Sequence, residues 1–336
     1  LDMIYQDAVQ HLPDNANYRI RKDEVKVELP VRVNWGGGWT DTPPHCNEKG
    51  GVVLNAAIKL KGIYPVQVSI RKLDVLHVEF ESQDIGVSGV AKTVAEIQDC
   101  YNPYDSFALH KAALIACGII PQSGEANLQE ILQKLGGGIY LSTQVVGVPK
   151  GSGLGTSSIL SAACVKAIFQ FLGKELDNSK ISEIVLCMEQ IMSTGGGWQD
   201  QVGGLTGGIK YITSRSGMKQ KLKVEYLDLD EATKTELQER FALIYTGQRR
   251  LARNLLRDVV GNYIGGKKES KEALEEMKHL AVMMRYELEQ GDVDAFARLL
   301  NEHWEVSKKL DAGSTNTCID QIFTSCEDLI DGKFIS

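Results

Sequence analysis

The stretch Pro149-Lys150-Gly151-Ser152-Gly153-Leu154-Gly155-Thr156-Ser157-Ser158 constrains this chain more than any other. It leaves a strand predicted over Ile139 to Val146 and opens a helix. In that helix Ile159, Ala162, Ala163, Val165, Ile168, Phe169 and Leu172 keep the helical period up to Gly173. Glycines let a backbone approach a polyanion and turn its N–H groups inward, and a helix start adds roughly half a positive charge. The hydroxyls of the first turn can cap the helix, bind phosphate oxygens, or hold a magnesium ion that keeps most of its waters. The plainer alternative is a Gly/Ser turn with an N-cap. The stretch is neither a Walker loop nor a G-x-G-x-x-G motif. A second glycine run, Gly261 to Lys268, ends in Lys where a Walker loop has Ser or Thr. It falls between predicted helices with no strand before it, and is set aside.

A length of 336 residues with 43% apolar content predicts about two domains with ordinary buried cores. Lys and Arg number 37 against 44 Asp and Glu, a net charge of −7, which disfavours a sequence-independent grip on nucleic acid. Any phosphate site must therefore be built locally. No run is long and apolar enough to span a bilayer, and Leu1 to Gln10 lacks the form of a secretory signal, so a cytoplasmic protein is expected. Seven cysteines without a C-x-x-C pair are expected to be reduced and mostly buried. Six histidines without H-E-x-x-H give no support to a zinc site. The start at Leu1 and the stop at Lys333-Phe334-Ile335-Ser336 are expected of a piece of something longer.

Alternation predicts strands at Val25 to Leu29 and Val31 to Val33, separated by Pro30, which suits an edge or a bulge. Further strands are predicted at Pro65 to Ile70, Val75 to Phe80, Ile209 to Thr213, Lys223 to Leu227 and Phe241 to Tyr245. A second helix is predicted from Ile181 to Met192, and Leu274, Met277, Ala281, Met284 and Leu288 mark one packed face in a mainly helical last third. The class is α/β in two domains. The first, 1–220, is β-rich with the helix that follows the glycine loop; the second, 221–336, is mainly helical on a small antiparallel sheet.

Two more stretches could carry chemistry. Glu189 to Gln201 sets one carboxylate on a helix and a second, Asp200, just after the glycine turn Gly195-Gly196-Gly197. Two carboxylates near a phosphate loop can divide labour, one holding magnesium and the other orienting a hydroxyl. Arg32 to Pro44 sets a cation at a strand end and Asp41 nine residues later, across Gly36-Gly37-Gly38. A carboxylate accepts from paired sugar hydroxyls, and an aromatic face covers the apolar side of a pyranose. Taken singly, each segment also reads as a capped turn beside packed residues.

Together these segments resemble the GHMP kinases, named for galactokinase, homoserine kinase, mevalonate kinase and phosphomevalonate kinase. Pro149 to Ser158 is similar to their P-x-x-x-G-L-G-S-S loop, with Thr156 in place of the first Ser. The G-G-W-[ST]-D-T-P-P, G-S-G-L-G-T-S-S-I-L, T-G-G-G-W-Q-D-Q and T-G-Q-x-R-L-A patterns resemble the L-fucokinase branch, the last at Thr246 to Ala252. The resemblance covers roughly residues 30 to 257. It implies ATP as co-substrate, Mg2+, and phosphorylation of the anomeric hydroxyl of L-fucose to fucose 1-phosphate.

By the same resemblance, Asp200 orients or deprotonates the sugar hydroxyl and Arg32 stabilises that carboxylate and the transferring phosphoryl group. Lys150 to Ser158, that is Lys150, Gly151, Ser152, Gly153, Leu154, Gly155, Thr156, Ser157 and Ser158, bind the nucleotide, while Ser157 and Glu189 bind magnesium. Trp39, Thr40, Asp41, Gly197, Trp198, Asp200 and Thr246 face the sugar. The family's third glycine-rich motif is not reached by Ser336. In some fucokinases a guanylyltransferase domain precedes the kinase, so a fused or neighbouring nucleotidyltransferase is the implied partner. The rivals are a D-glycero-D-manno-heptose 7-phosphate kinase, whose far phosphate needs cations that the first segment offers only at Arg32 and Lys49, and a catalytically silent nucleotide- or sugar-binding module.

Overall fold

The structure is a computed structural model that describes residues 17–102, 104–149, 151–192, 196–218, 220–247 and 252–335, the side chains of 252–256 and 312 excepted. Its strands are Glu24–Leu29 (β1), Val31–Gly36 (β2), Val52–Ile58 (β3), Val66–Leu73 (β4), Val78–Ser82 (β5), Val87–Ala91 (β6), Gly138–Val145 (β7), Ile209–Ser214 (β8) and Leu222–Tyr226 (β9). The helices begin with His45–Lys49 (α1), Val94–Gln98 (α2), Ala108–Ala116 (α3), Leu128–Leu135 (α4), Thr156–Phe171 (α5), Asn178–Ile191 (α6) and Gln199–Leu205 (α7). Glu231–Arg240 (α8), Ala252–Ile264 (α9), Lys268–Glu289 (α10), Val293–Leu310 (α11) and Thr317–Ser325 (α12) follow.

Pro30 separates two strands that belong to different sheets. β1 is an edge of a five-stranded sheet ordered β1-β4-β7-β5-β6, and β2 an edge of a four-stranded sheet ordered β2-β3-β8-β9. Proline donates no hydrogen bond to a ladder, so it fits where one ladder ends and the next begins. The sheets mark two compact units whose chain segments interleave. The first takes the residues up to Val31, Ile58–Pro149 and Gly155–Thr206; the second takes Arg32–Ala57, the loop segment ending at Leu154, and the residues from Gly207 onward.

In the first unit the sheet is antiparallel except for the parallel pair β5 and β7. α5 packs on β1, β4 and β7 and against α3, α6 and α7. It can do so because Ile159, Ala162, Ala163, Cys164, Val165, Ala167, Ile168, Phe169 and Phe171 are all buried, and a helix apolar nearly all round belongs in a core. α7 meets it at a glycine: a Cβ on Gly204 would stand 2.5 Å from Cγ2 of Ile159. The glycine thus sets how near α7, which carries Asp200 in its first turn, can lie to α5.

In the second unit β3 pairs antiparallel with β8 from Val52↔Thr213 to Ala56↔Ile209, and β8 with β9. Val259, Tyr263, Ala273, Leu274, Met277, Leu280, Val306 and Leu310 join α9, α10 and α11 in one apolar core. The predicted periodic face of α10, Leu274, Met277, Ala281, Met284 and Leu288, is buried throughout.

Phe241 to Tyr245 departs from expectation. Phe241 is extended (φ −86, ψ 122), but the segment forms no strand, and Leu243, Ile244 and Tyr245 are exposed. Strand propensity measures fit to a pleated, half-buried surface, and here no neighbouring strand among the described residues supplies one. All seven cysteines are free, five of them buried, as expected of reduced thiols. Among the described residues no helix is long and apolar enough to cross a membrane, and no three His, Cys, Asp or Glu side chains gather as a metal site.

Gly204→Ala is expected to lower stability by about 1–3 kcal/mol through overpacking against Ile159. A urea-unfolding midpoint unchanged from wild type would contradict the close packing of α7 on α5.

Candidate active site

The loop that opens α5 is built on alternating left-handed glycines, with φ of +76 at Gly151, +83 at Gly153 and +69 at Gly155. Side chains with a Cβ adopt that conformation at a cost, which explains why glycine recurs at every second position. Between them Ser152 Oγ accepts a 3.5 Å bond from the Leu154 N–H, and Leu154 turns its side chain into the interior. Lys150 lies outside the described residues.

α5 starts without a side-chain cap from its N-cap residue, as do α1, α3, α7 and α10. Asn127, Asp177, Asp230, Asp292 and Asn316 each accept from a first-turn N–H of α4, α6, α8, α11 and α12. Gly155 has no side chain to do so, and the first turn of α5 contains no acid. The positive end of this sixteen-residue helix thus has no acceptor from its own N-cap side chain or first turn, and a helix start of that kind favours negative charge.

Two carboxylates serve this end, at different depths. A Cβ on Gly155 would stand 2.9 Å from Cγ of Asp200, so the absent side chain makes room for the Asp200 carboxyl at the junction of loop and helix. Glu189, on α6, is buried, and its Oε1 accepts a 2.9 Å bond from Ser158 Oγ. Ser157, the predicted magnesium partner of Glu189, is exposed, while the Ser158 hydroxyl is the one that holds the carboxylate. Successive helical residues point about 100° apart, so only one of the two serines can face inward. That pairing was not legible in the sequence, where both serines carry the same group. Gly197 accepts a 3.3 Å bond from Gln201 Nε2. Trp198 is 1% exposed, its ring packed inside the unit, and its indole N–H has no hydrogen-bond partner among the described residues. Ser193 to Gly195 lie outside the described residues.

In the second unit Arg32, 7% exposed at the start of β2, donates from Nη1 to the Gly153 carbonyl at 2.9 Å. Its backbone N–H reaches the Leu154 carbonyl at 3.5 Å. Arg32 is thus fastened to the glycine loop itself. The turn after β2 is equally fixed. Gly37 has φ +78, and a Cβ there would fall 1.9 Å from the Val52 carbonyl oxygen, which admits no other residue. The Thr40 hydroxyl donates to the Gly37 carbonyl at 2.6 Å and accepts from the Val52 N–H at 3.0 Å. Thr40 therefore serves the turn's own backbone. Trp39, at φ +75, packs on the core of α9, α10 and α11. Asp41 is 1% exposed. Burial, assisted by the Asp41 charge, pushes the Cys46 thiol far up.

Two buried histidines brace this region. The Gly37 N–H donates to His303 Nε2 at 3.0 Å, and His45 lies edge-on to Tyr263, whose hydroxyl donates to Glu48 at 2.7 Å. Burial brings His303 down to about 4. Burial and then the Lys278 charge bring His45 to about 4. Neither was singled out from the sequence, because a lone histidine carries no spacing signal. Thr246, half-buried before the left-handed Gly247, is the last described residue of its motif; residues 248–251 lie outside the described ones.

Residues 125–208 match the family described as GHMP kinases N terminal domain. The chain thus carries that domain and has the two-part α/β fold of the GHMP kinases. It is 36% identical over 326 residues, 96% of its length, to an L-fucokinase/L-fucose-1-P guanylyltransferase of Bacteroides fragilis, and spans 34% of that protein. It is also 36% identical over 299 residues, 89% of its length, to a bifunctional fucokinase/GDP-fucose pyrophosphorylase of Arabidopsis thaliana, and spans 27% of it. Among solved structures, a D-glycero-D-manno-heptose 1-phosphate kinase from Bacteroides thetaiotaomicron superposes with a TM-score of 0.61 at 23% identity. That match covers 86% of this chain and 81% of the other.

Gly155→Ala should lose about 1–3 kcal/mol of stability, since it adds a strained φ to a clash with Asp200. Chemical denaturation checks it, and an unchanged midpoint would contradict the close approach. The histidines predict acid sensitivity. Unfolded, each takes up its proton near pH 6.5, while folded they stay neutral to about 4. Between those limits the unfolded chain binds more protons, so stability is full above pH 6.5 and falls toward pH 4, by roughly 3 kcal/mol per histidine. Urea unfolding followed from pH 7 to 4.5 should show this decline. A decline just as steep in His303→Gln would contradict the contribution of His303.

Proposed function

We propose that this chain is an ATP-dependent sugar kinase that phosphorylates the anomeric hydroxyl of L-fucose, giving fucose 1-phosphate. The carrying observation is the meeting of the Asp200 carboxyl with the uncapped start of α5 across Gly155. A terminal phosphate held on the first-turn amides of α5 would lie beside a carboxylate able to orient and deprotonate a hydroxyl. The sugar oxygen forms a bond to the terminal phosphorus as the bond from that phosphorus to ADP breaks, and the hydroxyl proton passes to Asp200. Arg32, tied to the Gly153 carbonyl, brings positive charge to the loop. Asp41, with Trp39 and Thr40 fixing its turn, accepts from sugar hydroxyls.

The donor types suit magnesium: the Glu189 carboxylate and the Ser157 hydroxyl are hard oxygens, and with Glu189 bonded to Ser158 and Ser157 exposed, the waters and substrate phosphates that magnesium typically keeps would complete the shell between them. Bound there it would neutralise charge on the phosphates. Glu189 is kept in place by Ser158. The choice of L-fucose is supported by the 36% identity to the two fucokinase-named relatives and by the run Gly197-Trp198-Gln199-Asp200-Gln201. Fucose 1-phosphate is the substrate that the guanylyltransferase in the name of the Bacteroides fragilis relative would consume, so a fused or neighbouring nucleotidyltransferase is the proposed partner.

Wild-type protein should release ADP with L-fucose in preference to D-arabinose, galactose, D-glycero-D-manno-heptose 7-phosphate and mevalonate, and lose that activity when magnesium is chelated. Asp200→Asn should lower turnover at least about 100-fold with little change in ATP binding. Turnover of the heptose phosphate alone would overturn the choice of sugar, and near-normal turnover in Asp200→Asn would remove Asp200 from the chemistry.

A further inference from the structure

His303 sits on α11, 266 positions from Gly37, and its Nε2 lies 3.0 Å from the Gly37 N–H in a buried bond. A backbone N–H can only donate, so Nε2 must carry a lone pair and the proton must sit on Nδ1. Burial favours this neutral form, holding the ring at about 4. Around the ring, Ser307 Oγ lies 3.5 Å from Nδ1 and donates at 2.9 Å to the His303 carbonyl, so the hydroxyl is free to accept the Nδ1 proton only weakly. Gly37 is thereby held at both polar groups: its carbonyl accepts from the Thr40 N–H at 3.1 Å and from the Thr40 hydroxyl, and its N–H goes to His303. With φ +78 and the Val52 carbonyl against it, the position admits only glycine, so its fixed conformation comes from these bonds and not from a side chain. Past Gly38, Trp39, Thr40 and Asp41 follow this anchored point.

We propose that His303 is a positioning residue for sugar recognition: through the Gly37 N–H, its unprotonated Nε2 fixes the turn that presents Asp41. The proposal rests on the reading that this turn faces the sugar. Its geometric half does not.

The test compares His303→Gln, whose amide oxygen can stand near the place of Nε2, with His303→Asn, whose amide ends near Nδ1 and falls short. His303→Asn should raise the KM for L-fucose about tenfold or more, with the KM for ATP and kcat within about twofold, and His303→Gln should recover most of that loss. Equal rises in both KM values, or Asn no worse than Gln, would overturn the proposal. A measurement on wild-type protein needs neither variant nor activity: nitrogen-15 NMR of the histidines at pH 7 should give His303 the pattern of an Nδ1–H imidazole. An Nε2–H or doubly protonated ring would overturn the anchor. An Nδ1–H ring in a protein that releases no ADP with any sugar would sustain the anchor and instead defeat the functional reading.

Discussion

Everything proposed for this chain depends on a negative group being held at the uncapped start of α5. The Asp200 carboxyl occupies the space that any side chain on Gly155 would fill, and Gly204 lets the helix beneath it lie against Ile159. A triphosphate brought to the same helix end adds like charge. At an effective dielectric near 20, two unit charges about 4 Å apart repel by roughly 4 kcal/mol, more than a helix dipole returns. The arrangement therefore requires cations. In the proposed reaction Arg32, fastened to the Gly153 carbonyl, would supply one, and a magnesium ion held with Glu189 and Ser157 would be another. Placing two carboxylates at different depths keeps them from competing. Glu189 is buried and hydrogen-bonded to Ser158, while Asp200 stands at the junction where a reacting hydroxyl could meet it.

The turn from Gly36 to Asp41 follows a different physical logic. No glycine-rich loop is rigid by itself, because glycine gives up more backbone freedom on ordering than any other residue. Here the freedom is removed by contacts: the Val52 carbonyl against Gly37, the Thr40 hydroxyl bridging Gly37 and Val52, and a neutral imidazole from α11 on the remaining N–H. Trp39 adds an apolar anchor among α9, α10 and α11. A buried Asp41 at the end of so constrained a segment has little room to move, as the proposed recognition of a rigid pyranose by pre-formed geometry would need.

Periodicity made the helices legible, since α5 and α10 bury the residues their spacing marked. Pro30 was legible as punctuation, though not as the point where the chain changes sheets. The interleaving of the two units was not legible, because it depends on which distant strands pair, and no local pattern encodes that. Phe241 to Tyr245 shows the same limit from the other side: its alternation suits a strand, yet a ladder needs a partner that propensity cannot name. In the candidate site, residue types and motif order marked Asp200, Glu189 and the glycine loop as candidates. They could not tell Ser157 from Ser158, foresee that Arg32 binds the Gly153 carbonyl, or give His303 any role. Those depend on side-chain direction and on contacts across more than a hundred residues.

A crystal structure with L-fucose and a non-hydrolysable ATP analogue examines the central claim most directly. The terminal phosphate is expected on the first-turn amides of α5 and the sugar's anomeric hydroxyl within hydrogen-bond reach of Asp200. A terminal phosphate seated away from that helix start, or a sugar turning another hydroxyl toward Asp200, would contradict it.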